Sequence, residues 1–188
     1  LSAANLPLEG LAFIAAIDRV LDMIKLAMRE WVMGNPDHMH TDVGPVIDQK
    51  ALTGLNNHVK YLEGKATLHY ACKAPTGEGH FFFAPRLYEI KNLNVLEREV
   101  FGPVVHIIRF KGDELDNVIA QINATGYGLT MGVHSRIAEV TQQVAREVKA
   151  GNIYINRNLI GAVVGVQPFG GRAEVSGLQD GLNHFDMT

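Results

Sequence analysis

Cysteine is almost absent from this sequence of 188 residues, which contains only Cys72. A single cysteine excludes an internal disulfide framework and any cysteine-rich zinc site, and it fits a reducing compartment. We therefore expect a cytoplasmic protein. Because Leu68, Tyr70 and Cys72 alternate along a strand-like run, the pattern favours a packed, structural cysteine over a reactive nucleophile.

Long apolar runs and long runs of one charge are also absent. No uninterrupted apolar stretch approaches the roughly 18 residues that a membrane-spanning helix needs. Seventeen Lys and Arg against twenty Asp and Glu give a net charge of -3, which argues against nucleic acid or an anionic membrane as partner. With 47% hydrophobic and 20% charged residues, the composition is that of one ordinary globular domain.

Several catalytic motifs are missing. The sequence has no Gly-x-Ser-x-Gly elbow, no phosphate-binding Walker loop and no His-Glu-x-x-His zinc motif. Gly126-Tyr-Gly128-Leu-Thr-Met-Gly132 misses the dinucleotide fingerprint spacing and precedes a predicted strand. His38 and His40 lie near Asp42, but they lack the three or more convergent ligands of a metal centre, so we expect no metal site.

Hydrophobic periodicity predicts alternating helices and strands. Apolar residues recur every three or four positions from Ala12 to Val32, and a second helix is predicted from about Asp48 to Leu62. Three strands are predicted in the middle of the chain: Thr67 to Ala71, His80 to Phe83 and Arg86 to Ile90. The second half reads strand, helix, strand, helix, strand, with strands at Val104 to Phe110, Leu129 to His134 and Ile153 to Ile155. This order predicts an α/β fold with an open, mostly parallel sheet and flanking helices.

Four stretches carry a resemblance to a known family: Thr41 to Asp48 (TDVGPVID), Glu99 to Pro103 (EVFGP), Gln121 to Leu129 (QINATGYGL) and Gly151 to Gly171. Together, in this order, they resemble the C-terminal part of the aldehyde dehydrogenase catalytic domain. Within that superfamily they are most similar to the glutamate semialdehyde (1-pyrroline-5-carboxylate) dehydrogenase branch, particularly the dehydrogenase module of bifunctional proline utilisation A. The resemblance covers about residues 18–171. We expect residues 1–188 to be a single partial catalytic domain with an atypical tail at 172–188.

The resemblance implies a role for particular residues. Glu99 matches the family's glutamate that holds the nicotinamide ribose of NAD, and Phe101 matches the aromatic residue that helps to place the nicotinamide. Gly161 and Ala162 match the loop that binds the substrate carboxylate through backbone N–H groups, and Phe169 matches the aromatic residue that packs on the aldehyde chain. These roles are physically reasonable, because a carboxylate accepts two hydroxyl hydrogen bonds and consecutive amides form an anion-binding concavity.

The family's nucleophilic cysteine and general base precede the matching region, so the resemblance implies no catalytic residue in this chain. Leu1-Ser2-Ala3 is similar to the Cys-Ser-Ala of the family's active-site loop, with Leu1 in the place of the nucleophile and a spacing to Asp18 that is a few residues off. Ser2 is therefore the least secure substrate-binding candidate.

Because the sequence begins with Leu rather than Met, we expect a piece of a longer NAD-dependent oxidoreductase of proline catabolism, a homo-oligomer that acts on a small-molecule semialdehyde. The alternatives are an inactive pseudoenzyme or assembly module of the same fold, and an unrelated α/β binding domain whose loops mimic the family.

Overall fold

The computed structural model describes residues 10–14, 17–75 and 81–159. The described residues fall into two compact units, divided between Lys111 and Gly112. In chain order, the helices and strands are β1 (Gly10–Ile14), α1 (Ile17–Arg29), α2 (Gln49–Leu62), β2 (Ala66–Ala71), β3 (Arg86–Ile90), β4 (Val104–Arg109), α3 (Leu115–Ala124), β5 (Thr130–Val133), α4 (Ala138–Glu147) and β6 (Asn152–Ile155), with single 3₁₀ turns at Leu93–Val95 and Gly112–Glu114.

The first unit is built on a four-stranded sheet of order β1-β4-β3-β2. β4 runs parallel to both β1 and β3, and β2 is antiparallel to β3. The residues of β4 alternate between two cores, because successive side chains of a strand point to opposite faces. Val105 and Ile107 pack with α1 residues such as Leu21 and Met28, whereas Val104 and Ile108 pack with Leu55 and Leu62 of α2. The sheet therefore lies between α1 and α2.

The second unit contains the parallel pair β5 and β6, joined through α4. Its core comprises Ile119, Val144, Val148 and Ala150, with Met131, Val133 and Ile153 of the two strands packed against them. Three of the four strand pairs among the described residues are parallel. The predicted α/β fold with a mostly parallel sheet is confirmed. No helix in the described part of the chain is long and apolar enough to cross a membrane.

Two sequence predictions of local structure were wrong. Gly10–Ile14 forms a strand paired with β4, and the first helix begins at Ile17 rather than at Ala12. The run GLAFI contains no polar residue that would define a period, so periodicity alone does not separate strand from helix there.

The second wrong prediction concerns the aromatic run that includes Phe82. Residues 81–83 form no strand, and the carbonyl oxygen of Phe81 instead accepts a hydrogen bond from Val46 N at 2.8 Å. Phe82 packs with the core on the α1 side and Phe83 with the core on the α2 side. The rings of Phe82 and Phe83 therefore pack on the two cores without a strand ladder.

A polar network ties α1 to the edge of this sheet. Arg109 donates from Nε to Glu89 Oε1 at 2.8 Å and from Nη1 to Asp18 Oδ1 at 2.7 Å. His69 Nε2 lies 2.7 Å from the second oxygen of Glu89. Burial alone raises the pKa of Glu89, but the hydrogen bonds from Arg109 and His69 outweigh it and lower that pKa.

The position of Ile107 in the centre of the sheet gives a test of the packing. Its side chain is 0% exposed, so Ile107→Ala should lower the free energy of unfolding by about 2–5 kcal/mol through lost burial and a residual cavity. Leu26→Ala is the control, because Leu26 lies on α1 but is 56% exposed, and it should change stability by no more than about 0.5 kcal/mol. Urea unfolding measures both; equal effects would contradict the assigned core.

Candidate functional site

The candidate site is the stretch from Glu97 to Pro103, called here the 97–103 segment, which runs from the 3₁₀ turn at Leu93–Val95 to the start of β4. Residues 97–99 and Phe101 are exposed, whereas Val100 and Gly102 face the protein. Val100 packs against the core on the α2 side and Gly102 is buried. Glu99 is exposed, and Phe101 is 77% exposed. The two residues predicted to contact NAD therefore both lie on the accessible side of the segment.

Such exposure of Phe101 is unusual for an aromatic ring, which normally buries most of its surface. The sequence resemblance assigns the ribose and nicotinamide of NAD to Glu99 and Phe101, and both side chains are accessible to a ligand. The carboxylate can accept two hydroxyl hydrogen bonds, and the ring offers an apolar face. The structure brings Glu99 and Phe101 together, as expected from their spacing.

Gly102 fixes the backbone at this point. Its φ angle is +145°, a region that residues with a side chain rarely adopt. A Cβ atom built on Gly102 would lie 2.6 Å from Leu55 Cδ2 of α2. The carbonyl oxygen of Gly102 accepts a hydrogen bond from Val104 N at 2.7 Å, and that of Pro103 accepts one from Arg86 N at 3.0 Å. These contacts join the end of the segment to both α2 and the sheet.

Two buried histidines lie behind the segment. His58 of α2 and His106 of β4 are 7% and 6% exposed, and their Nε2 atoms are 2.9 Å apart. Burial lowers the pKa of His106 to about 4, with a further contribution from His58. Burial also lowers the pKa of His58, and the charge of Arg98 adds to this effect. Both rings are therefore neutral at neutral pH.

The sequence interpretation did not single out these histidines. Their positions carried a signal, however. His58 lies three residues after Leu55 and four before Leu62, on one face of a helix. His106 lies between Val104 and Ile108, on one face of a strand. Two histidines at core positions of adjoining elements can satisfy each other.

A pocket of about 350 Å³ lies between α2 and part of the 97–103 segment. Asn57, His58 and Tyr61 line one side of it, and Glu97, Arg98 and Val100 line the other. At its edge the hydroxyl of Tyr61 donates to Glu97 Oε1 at 2.9 Å, while the Lys65 ammonium lies 3.4 Å from the centre of the Tyr61 ring. Glu99 and Phe101 do not line this pocket.

Cys72 is the only cysteine of the chain, and its environment does not suit a nucleophile. Its side chain is 8% exposed, and Sγ donates to the carbonyl oxygen of Met28 at 3.4 Å. Burial raises the pKa of the thiol, which disfavours the thiolate needed for attack. These observations support the structural role that the sequence indicates.

The remaining candidates are distributed as follows. Gly161, Ala162, Phe169 and Ser2 lie outside the described residues, so their predicted roles stay predictions. The last described strand before that loop is β6, and Asn156 follows it with a φ angle of 54°. Asn156 Nδ2 donates to Ser135 O at 3.0 Å.

His38 and His40 are exposed and stacked, with ring centres 5.4 Å apart. Within residues 10–14, 17–75 and 81–159, no group of three or more His, Cys, Asp or Glu is placed to hold a metal ion.

Comparison with known proteins places this arrangement in a family. The model of the aldehyde dehydrogenase family matches residues 14–184, which is most of the chain. This chain belongs to the aldehyde dehydrogenase family. The match extends beyond residues 18–171 at both ends.

Two kinds of relative within the family match the same share of this chain. The bifunctional protein PutA of Klebsiella aerogenes is 46% identical over 160 residues, covering 82% of this chain and 12% of that protein. A 1-pyrroline-5-carboxylate dehydrogenase of Geobacillus sp. is 33% identical over 156 residues, covering 82% of this chain and 30% of that protein. The chain thus spans between about an eighth and about a third of the length of these relatives.

Solved structures agree with these sequence matches. A crystal structure of a mutant of Bradyrhizobium japonicum proline utilization A superposes with a TM-score of 0.83 at 43% identity, covering 92% of this chain and 18% of that one. The structure of a 1-pyrroline-5-carboxylate dehydrogenase from Thermus with bound NAD superposes with a TM-score of 0.77 at 32% identity, covering 87% of this chain and 32% of that one. The resemblance read from the sequence is confirmed.

The geometry of Gly102 gives a test of the segment. Gly102→Ala should lower the free energy of unfolding by about 1–3 kcal/mol, because the residue has a positive φ angle and the new methyl group meets Leu55. Gly54→Ala is a matched control: Gly54 lies inside α2, and a Cβ atom added there would have no neighbour within 4 Å. Alanine is the better helix former there, so stability should rise by about 0.5–1 kcal/mol. Thermal or urea unfolding checks the sign of each change; a neutral Gly102→Ala would contradict the close approach.

Proposed function

We propose that this chain is the C-terminal part of the catalytic domain of an NAD-dependent L-glutamate γ-semialdehyde (1-pyrroline-5-carboxylate) dehydrogenase, an oxidoreductase that converts the aldehyde to glutamate in proline catabolism. The observation that carries the proposal is the paired exposure of Glu99 and Phe101 on a segment anchored by Gly102. The family membership and the relatives that bear this name support it.

In this proposal, the 97–103 segment holds the cofactor. Glu99 accepts hydrogen bonds from the nicotinamide ribose hydroxyls, and Phe101 limits where the nicotinamide lies. Bound NAD supplies the hydride acceptor of the reaction. The protein's contribution is orientation, because an error of about 1 Å in a reacting group can cost two orders of magnitude in rate.

Substrate binding is assigned to the loop that follows β6. Gly161 and Ala162 would bind the substrate carboxylate through backbone N–H groups, and Phe169 would pack on its aliphatic part; Ser2 is a weaker candidate. We further propose that the intact parent is a cytoplasmic homo-oligomer, that residues 1–188 are one partial catalytic domain, and that no metal takes part.

The proposed function predicts that the isolated chain does not oxidise the aldehyde. Covalent catalysis in this family uses a cysteine nucleophile, and the only cysteine here is the buried Cys72. Purified chain mixed with NAD and glutamate semialdehyde should give no NADH absorbance above the enzyme-free rate. Turnover that survives purification and is lost in Cys72→Ser would contradict the proposal.

A separate prediction tests the proposed contact between Glu99 and NAD. A chimera is made in which residues 18–171 of this chain replace the matching part of the Thermus dehydrogenase. In that chimera, Glu99→Gln should raise the KM for NAD by about tenfold or more, because a hydrogen bond to a charged group is worth roughly 1.5–3 kcal/mol.

Glu139→Gln is the matched control, since Glu139 is an exposed acid on α4, and it should leave the KM unchanged. A folded chimera with no activity would favour the alternative of an inactive module. An active chimera that is indifferent to Glu99→Gln would contradict the assigned cofactor contact.

A further inference from the structure

The contacts of α2 with the 97–103 segment lead to an inference about how the segment is held. Resting on the proposed function, we propose that His58 and Tyr61 of α2 are positioning residues: the bond of His58 to His106 and the bond of Tyr61 to Glu97 fix the 97–103 segment, and with it Glu99 and Phe101.

The histidine pair sets the position of α2 on the sheet. It lies within the core on the α2 side, among Leu55, Leu62, Val104 and Ile108. A hydrogen bond between two neutral imidazoles needs one N–H and one lone pair at the facing Nε2 atoms. If α2 moved along β4, two buried Nε2 atoms would lose their partner, which is unfavourable. The pair therefore favours one arrangement of the helix over its neighbours.

The same helix contacts the segment at both of its ends. Tyr61 donates to Glu97 at the start, and Leu55 lies against Gly102 at the end. His106 is three residues after Pro103 in β4, so the partner of His58 belongs to the strand that the segment enters. Because three successive turns of α2 contact the segment or its continuation, a shift of α2 would move Glu99 and Phe101.

Protonation of both rings should remove this bond, although the bond survives the first proton because an imidazolium can donate to a neutral imidazole. Two imidazolium rings cannot form a hydrogen bond through their Nε2 atoms, since both would be donors. The charged or titratable groups around the pair are Arg98 and Glu97 of the segment, Tyr61 of α2, and Tyr88, the register partner of His106 in β3. Arg98 opposes protonation of His58, and Glu97 is already bonded to Tyr61.

The direction of the pH effect follows from the lowered pKa values. A histidine whose pKa is lower in the folded than in the unfolded state contributes stability above its unfolded value, and that contribution is lost as the pH falls toward the folded value. For His106 this window runs from 6.5 down to about 4. The free energy of unfolding should therefore fall across this range, and the segment itself should loosen only as the pH nears about 4, where His106 becomes protonated in the folded state.

Amide hydrogen exchange of the full chain, followed by NMR without NAD or substrate, tests the proposal. The reporters are the amides of Arg86 and Val104, which bond to the carbonyl oxygens of Pro103 and Gly102. Tyr61→Phe should speed their exchange, corrected for intrinsic chemistry, by about threefold to tenfold. Tyr127→Phe is the control, because Tyr127 is a half-exposed tyrosine of the second unit, and it should have no effect. The amide of Ile107 in the middle of β4 serves as the reference for unfolding of the whole sheet.

The pH profile separates positioning from general destabilisation. In the wild type, the ratio of Val104 to Ile107 exchange should rise as the pH falls to about 4, where His106 becomes protonated in the folded state. His58→Gln should raise this ratio at neutral pH and flatten its pH dependence, whereas the exposed His134→Gln should leave the profile unchanged.

Equal acceleration of Ile107 and Val104 in Tyr61→Phe, or an unaltered pH profile in His58→Gln, would overturn the proposal. Because no cofactor is present, these outcomes are independent of the chimera kinetics. A failure of the NAD assignment and a failure of the positioning role can therefore be told apart.

Discussion

The close contact between α2 and the entrance to β4 is the constraint on which the candidate site depends. Leu55 occupies the space where a side chain at position 102 would lie, so only glycine allows the 97–103 segment to enter the sheet here. The buried pair of His58 and His106 adds a directional bond to this apolar contact. In the proposed account, these contacts on one side of the backbone set the position of the exposed carboxylate on the other.

Much of the fold could be predicted from the sequence, because the patterns are physical. The apolar run predicted as a strand at Val104 to Phe110 and the helix predicted from about Asp48 to Leu62 both correspond to elements of the fold, β4 and α2. The strand at Gly10–Ile14 could not be predicted this way, since an apolar run without polar residues has no measurable period. Phe81 and Phe83 lie in a run with strand composition, yet the backbone of that run bonds to Val46 rather than to a strand. Composition indicates which side chains are buried, but it does not determine which backbone groups form hydrogen bonds with each other.

Part of the candidate site could likewise be proposed from the sequence, and part could not. Glu99 and Phe101 could be proposed because they lie in a specific motif, and both are exposed; their role stays a prediction. A general rule for open α/β sheets would have looked elsewhere, at the carboxyl ends of the parallel strands, whereas the 97–103 segment precedes the amino end of β4. The histidine pair could not be derived from either residue alone, because the bond joins positions 48 residues apart and depends on how a helix lies on a sheet.

The central claim is that the outward side of the 97–103 segment holds the nicotinamide ribose. A crystal structure of the Thermus chimera with bound NAD measures this most directly. The account predicts that both oxygens of Glu99 lie within hydrogen-bond distance of the ribose hydroxyls, with the ring of Phe101 against the nicotinamide. A well-ordered NAD molecule whose ribose contacts other residues, while Glu99 remains in solvent, would contradict it.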